Sequence, residues 1–114
     1  MTMSAKYKSI IDGFLREAVE DYIGLWQVIK EAKDLNPDAN DVELRSLALC
    51  LVRDLLLAGF EAGNPPYSPS GYQPWLDQDL DHVIARIEYE WNALGREPNI
   101  GDIVWFGLPN KQAT

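Results

Sequence analysis

The sequence predicts an α+β domain of three or more helices with a small antiparallel sheet. Three observations carry that prediction. Apolar residues recur at three- and four-residue spacing over 7–33, 41–58 and 80–94, the period of an amphipathic helix. Glycine and proline cut the chain between those segments. The late stretch DIVWFGL, residues 102–108, instead alternates in faces, and a lone strand must find partners for its backbone groups. With 114 residues, 46% of them apolar, the chain suits a single domain spanning 1–114 that buries roughly two-thirds of its unfolded surface. Residues 1–6 and 109–114 read as peripheral tails.

Ile11, Phe14, Leu15, Ala18, Tyr22, Leu25, Trp26 and Ile29 form one broad stripe, predicting helix from about Tyr7 to Lys33. Gly13 and Gly24 each cost about 1 kcal/mol in a helix interior, so the segment is either one continuous helix or two shorter ones meeting near Gly24. Asn36-Pro37 ends it, because the residue before proline leaves helical dihedrals. Asn40, with Glu43 three residues on, is a capping box for the next helix. Leu44, Leu47, Ala48, Leu51 and Leu55 make its face, widened by Leu49, Val52 and Leu56. Such a circumference marks a central helix, and Cys50 reads as one more small core residue. Gly59 closes the helix, and GFEAG turns from it toward a strand.

Residues 64–76, NPPYSPSGYQPWL, exclude continuous helix. Their aromatic residues Tyr67, Tyr72 and Trp75 serve either as a lid over the core or as an apolar surface for a partner, the lid being the plainer reading. The acidic DQDLD then opens the clearest helix, with Leu80, Val83, Ile84, Ile87, Trp91 and Leu94 on its stripe. Gly95 and Pro98 stop it. In the final strand Ile103 and Trp105 face one way, Val104 and Phe106 the other, with GFEAG and YQPWL as pairing candidates. Trp91 and Trp105 add area to the core, and their indole nitrogens are expected to meet acceptors.

Charge and composition narrow the functions. Eighteen acids against ten bases give a formal net charge of −8, with seven acids and two bases over 77–102. Such a chain repels phosphate backbones, so nucleic acid is an unfavoured partner. No apolar run approaches the ~20 residues of a membrane span, and acids come too early for a signal peptide, which makes the cytoplasm the expected location. A lone cysteine forms no internal disulfide. Acids fall at the first, third and fifth positions of an EF-hand loop counted from Asp77, but His82 stands where that loop turns on glycine, and the helical stripe uses the same residues. One histidine without a second cluster is a weak metal signal. Neither a nucleophile elbow nor a phosphate-cradling glycine loop is present, and Glu17, Glu20, Asp21, Glu88 and Glu90 read as solvated helix faces. No catalytic residue, cofactor or metal is therefore expected.

Helices followed by a small hairpin resemble the winged-helix architecture, with 41–58 in the place of a recognition helix and 59–76 where a wing begins. That likeness implies DNA binding, yet the helix offers only Arg45 and Arg53 against Asp41, Glu43 and Asp54. The run WNALGREPNIGDIVWFGL also resembles the ends of small uncharacterised bacterial proteins with an LGR-x-P-x-IGDIVWF stretch, a likeness that brings no activity with it. The reading is a non-catalytic acidic domain that binds a basic protein, with Tyr67, Tyr72, Trp75, Asp77, Asp79 and Asp81 as candidate contact residues. The alternative is a winged-helix transcription regulator, which needs Lys6, Lys8, Arg16, Arg45 and Arg53 on one face.

Overall fold

A computed structural model describes residues 3–19, 21–64, 72–99 and 102–109. The chain runs α1 (Met3–Glu17), β1 (Ile23–Gly24), α2 (Leu25–Leu35), α3 (Asp41–Leu57), β2 (Glu61–Asn64), β3 (Gln73–Pro74), α4 (Leu80–Leu94) and β4 (Trp105–Gly107), an α+β fold. The long first segment does break, but earlier than Gly24: α1 ends at Glu17, Ala18 and Tyr22 lie outside any helix, and α2 starts directly after Gly24. Ile23 and Gly24 become a strand, and Gly24 also precedes the first turn of α2, its N–H donating to Gln27 Oε1 at 2.8 Å. Helix α1 begins at Met3 and not near Tyr7, so residues 3–6 form its first turn instead of a tail.

Helix ends follow local chemistry. Asn40 Oδ1 accepts from Glu43 N at 2.8 Å while Asn40 N donates to Glu43 Oε1 at 3.0 Å, closing both halves of the capping box. At the far end of α3, Gly59 adopts φ 112°, which lets Phe60 N reach Leu55 O and Gly59 N reach Leu56 O, the paired bonds of a Schellman stop. Helix α3 is central, contacting α1, α2 and α4, and it buries Leu44, Ala48, Leu51, Val52 and Leu55. Cys50 departs from expectation. It is exposed, because one residue back from Leu51 turns about 100° from the buried face, and no neighbouring helix covers that direction completely.

The sheet order is β1-β4-β2-β3 with antiparallel neighbours throughout. GFEAG and YQPWL both enter the sheet, and the tail strand pairs with the first of them. Its second neighbour, β1, is one that periodicity hides, since two extended residues between two helices leave no period-two pattern. Ile23, Phe106 and Ala62 stand level on the inner face, all wholly buried against the helices. The pairing core of β4 is 105–107, shorter than the 102–108 expected.

On the outer face the level row is Gly24, Trp105, Gly63 and Pro74. Aromatic rings occupy the space that glycine leaves open. A Cβ on Gly63 would lie 2.5 Å from the Tyr72 ring and 2.7 Å from Gln73 O. The Tyr22 and Tyr72 rings stack with centroids 4.3 Å apart. Trp105 Nε1 is buried with no acceptor among the described residues, contrary to expectation, because it lies against Gly24, which has no side chain to accept.

The loop before β4 gives the closing motif its structural meaning. Gly95 ends α4 at φ 72°, and Arg96 Nη1 then donates to Asp102 Oδ2 at 2.8 Å. The same carboxylate oxygen accepts from Asn99 N at 2.7 Å, so one side chain closes the loop. Arg96 foremost, then Asn99 N–H, holds the Asp102 carboxyl below its usual range. Val104 N returns to Asp102 O across Ile103, which sits at φ 65°, a strained conformation for a β-branched residue. Pro98 is buried, and Lys33 Nζ meets Glu97 Oε2 at 2.8 Å.

Candidate functional site: the acidic cap of helix α4

The acids at the start of α4 first do local work. Asp79 is the N-cap, accepting from His82 N at 3.2 Å, and Asp77 Oδ1 accepts from Asp79 N at 3.0 Å. Asp77 Oδ2 lies 2.8 Å from His82 Nδ1, with Asp79 Oδ2 3.8 Å from the same nitrogen. The Asp79 N–H foremost, then His82, lowers the Asp77 carboxyl, while Asp77 raises the His82 imidazole above its ordinary 6.5. Asp81 reaches across to Arg53 of α3 at 3.4 Å. All three carboxylates remain more than half exposed, at 62%, 56% and 81%. At that exposure the pairs are screened and largely leave the outward negative field in place.

What fixes this cap is a residue that sequence reasoning missed. Gln78 Nε2 donates to Ala62 O at 2.7 Å and to Trp75 O at 2.8 Å, and Gln78 Oε1 accepts from Ala62 N at 2.9 Å. A glutamine between two aspartates gives no signal of this in one dimension. Trp75 completes the anchor, its N–H donating to Ala62 O and its Nε1 to Asn64 Oδ1, each at 2.9 Å. Leu76, pinned between them, is fully exposed at 105%.

The aromatic candidates therefore separate from the acids. Trp75 is 5% exposed and Arg86 lies 3.6 Å from its ring centroid, so it closes the core as a lid. Tyr72 is half-buried in the stack with Tyr22, its hydroxyl donating to Glu61 O at 3.2 Å. Burial pushes its hydroxyl well above the usual phenol range. Tyr67 lies outside the described residues. The structure brings together Asp77, Asp79 and Asp81 with His82, and sets Leu76 beside them in the chain.

From the fourth position of the calcium loop counted from Asp77, the residues are helix, starting at Leu80. Among the described residues no group of three or more His, Cys, Asp or Glu side chains is arranged to hold a metal ion. A groove of about 460 Å³ lies elsewhere, between α2 and the 97–99 loop, lined by Trp26, Lys30, Lys33, Glu97, Pro98 and Asn99. It contains none of the α4 acids. Both arginines of α3 are engaged with α4, Arg45 lying 5.0 Å over the Trp91 ring and bonding Asn92, and Arg53 meeting Asp81.

Fold and site together define an α+β domain with an exposed acidic cap at the start of α4, hydrogen-bonded to β2 through Gln78. No helix among the described residues is long and apolar enough to cross a membrane. No protein family, no curated protein and no solved structure matches the chain.

Proposed function

We propose that the protein is a non-catalytic interaction domain that binds a basic protein partner, with the α4 cap as its contact surface. The observation that carries this reading is the presentation of Asp77, Asp79 and Asp81, more than half exposed at the start of α4, where the preceding loop is hydrogen-bonded to β2 through Gln78 and Trp75. Carboxylates fixed in place lose little entropy on pairing, and a chain at −8 draws a cationic protein by long-range steering. His82 and Arg53 hold the cluster together without matching its charge.

The test is quantitative cross-linking in the cells of origin, comparing wild type with the Asp77→Asn/Asp81→Asn double variant, which leaves the Asp79 cap intact. A cationic protein captured by wild type and reduced about tenfold or more by the variant supports the reading, as each ~1.4 kcal/mol lost is a factor of ten. A partner retained at equal level overturns it. The second reading, a winged-helix DNA-binding regulator, is favoured only by element order, with α3 and then β2–β3 in the places of recognition helix and wing. On the interaction reading, mixed-sequence duplex DNA binds more weakly than about 100 μM at near-physiological salt. A tight, sequence-selective shift would favour the regulator instead.

A further inference from the structure

The chain has one histidine, and the fold sets it among the acids of the cap. His82 Nδ1 lies 2.8 Å from Asp77 Oδ2 and 3.8 Å from Asp79 Oδ2. An ionised carboxylate only accepts, so Nδ1 carries a hydrogen toward Asp77, and the proton that comes and goes is the one on Nε2. The bond to Asp77 therefore persists in both states, and the cap keeps its shape while its charge changes. Arg53 of α3 meets Asp81 at 3.4 Å, β2 meets the cap through the neutral amide of Gln78, and Arg86, one turn beyond His82, is held by Glu90 at 2.7 Å and lies over the Trp75 ring. The charges that act on the imidazole are Asp77, Asp79 and Asp81, all in the same sense. With Arg53 counted beside these three acids, the cap carries −2 when His82 is neutral and −1 when it is protonated.

We propose that the α4 cap takes up a cationic partner in exchange for the Nε2 proton of His82, so that attachment strengthens as pH rises. This rests on the proposed role of the cap as a contact surface and adds its regulation. An imidazolium beside Asp77 and Asp79 already pairs with the carboxylates that an arriving ammonium or guanidinium would use, and repels that second cation. Neutral His82 leaves the same geometry with one more unit of uncompensated negative charge. Linkage makes the effect reciprocal: the factor by which proton loss favours the partner is the factor by which the partner favours proton loss. The three aspartates, Asp77 foremost, raise the imidazole above 6.5, so in the free protein it is mostly charged at and below 6.5 and loses that charge as pH rises through the raised value. Affinity for a cation is thus lowest on the acid side, climbs through this titration and levels off beyond it. Aspartate titrates well below that window and arginine well above it. All the groups are exposed, so one charge changes affinity by about two- to five-fold.

The probe is a decalysine peptide blocked at both ends, whose side chains stay charged from about pH 6 to 8. Isothermal titration calorimetry of the whole chain at about 50 mM NaCl, where surface charges are weakly screened, gives its affinity across that range. Repeating one pH in buffers of different ionisation enthalpy counts the protons released. Wild type should bind about two- to five-fold more tightly at the upper end and release a fraction of a proton at intermediate pH. His82→Gln, which keeps an amide donor for Asp77 and removes the titration, should bind at every pH as wild type does at the upper end, with no release from this site. Affinity that is flat in wild type, or that rises equally in His82→Gln, overturns the inference and leaves the cap as a contact surface. Binding undiminished in Asp77→Asn/Asp81→Asn, or no binding at any pH, removes the contact surface and the inference with it.

Discussion

Removing β4 should unfold the domain and not merely shorten it. The strand lies between β1 and β2, so its loss strips ladder partners from both and divides the sheet. Val104 and Phe106 are wholly buried, and each large apolar side chain contributes about 1.5–3 kcal/mol when fully buried, giving roughly 3–6 kcal/mol for the two. Half-buried Ile103, packed against the core, adds to that. The sum approaches the ~5–15 kcal/mol that holds a domain of this size. Deletion further exposes Ile23 and Ala62, both wholly buried in the same row. The assay is circular dichroism with thermal melting on two truncations, one ending at Leu108 and one at Gly101. The longer should melt cooperatively near the full chain, and the shorter should show no cooperative transition. Equal melting of both would refute the structural role of the strand, and DIVWFGL would then be better explained as an apolar tail awaiting a partner.

Other expectations follow from single contacts. Leu51→Ala, at a wholly buried position of α3, should cost about 2–5 kcal/mol in chemical denaturation, and an unchanged midpoint would show the core to be misplaced. Gly63→Ala should lower the melting temperature clearly, because the added methyl meets both the Tyr72 ring and the Gln73 carbonyl, and only the ring can move aside. A variant as stable as wild type would remove that account. In an NMR titration His82 should have a midpoint above 6.5 that falls in Asp77→Asn. The sign is set by the raised imidazole: the pair's contribution is complete below 6.5 and fades as pH rises through the folded value. Asp77 acts in the opposite sense, contributing above 3.8 and losing its effect as pH falls through its lowered folded value. A midpoint unmoved by the substitution would show that the two side chains do not pair in solution.

Where a single local rule governed, the sequence could be read directly. The Asn40–Glu43 box, the stops at Gly59 and Gly95, and the acids ahead of α4 each rest on bonds within a few residues. Orientation of α3 was less legible, because a helix apolar over most of its circumference does not say which side faces out. Cys50 and Leu57 were hidden by that breadth. Strand β1 was hidden for the reverse reason, two residues being too few to show a period. Of the candidate site, the three acids were visible as composition. Gln78, which fixes them, was not, since its bonds reach β2 sixteen residues away.

The place of β4 also sets an order of events at the ribosome. Ile23 and Ala62 leave the tunnel early, but the strand that seats between them is made last of the three. Until residues 105–107 emerge, the nascent chain can form its helices and the β2–β3 pairing while the inner face of the sheet stays open to water. Folding of the sheet therefore waits on distant contacts, the kind that slow a chain and expose it to aggregation. An acidic chain carrying −8 is well suited to that interval, because like charge keeps unfinished copies apart.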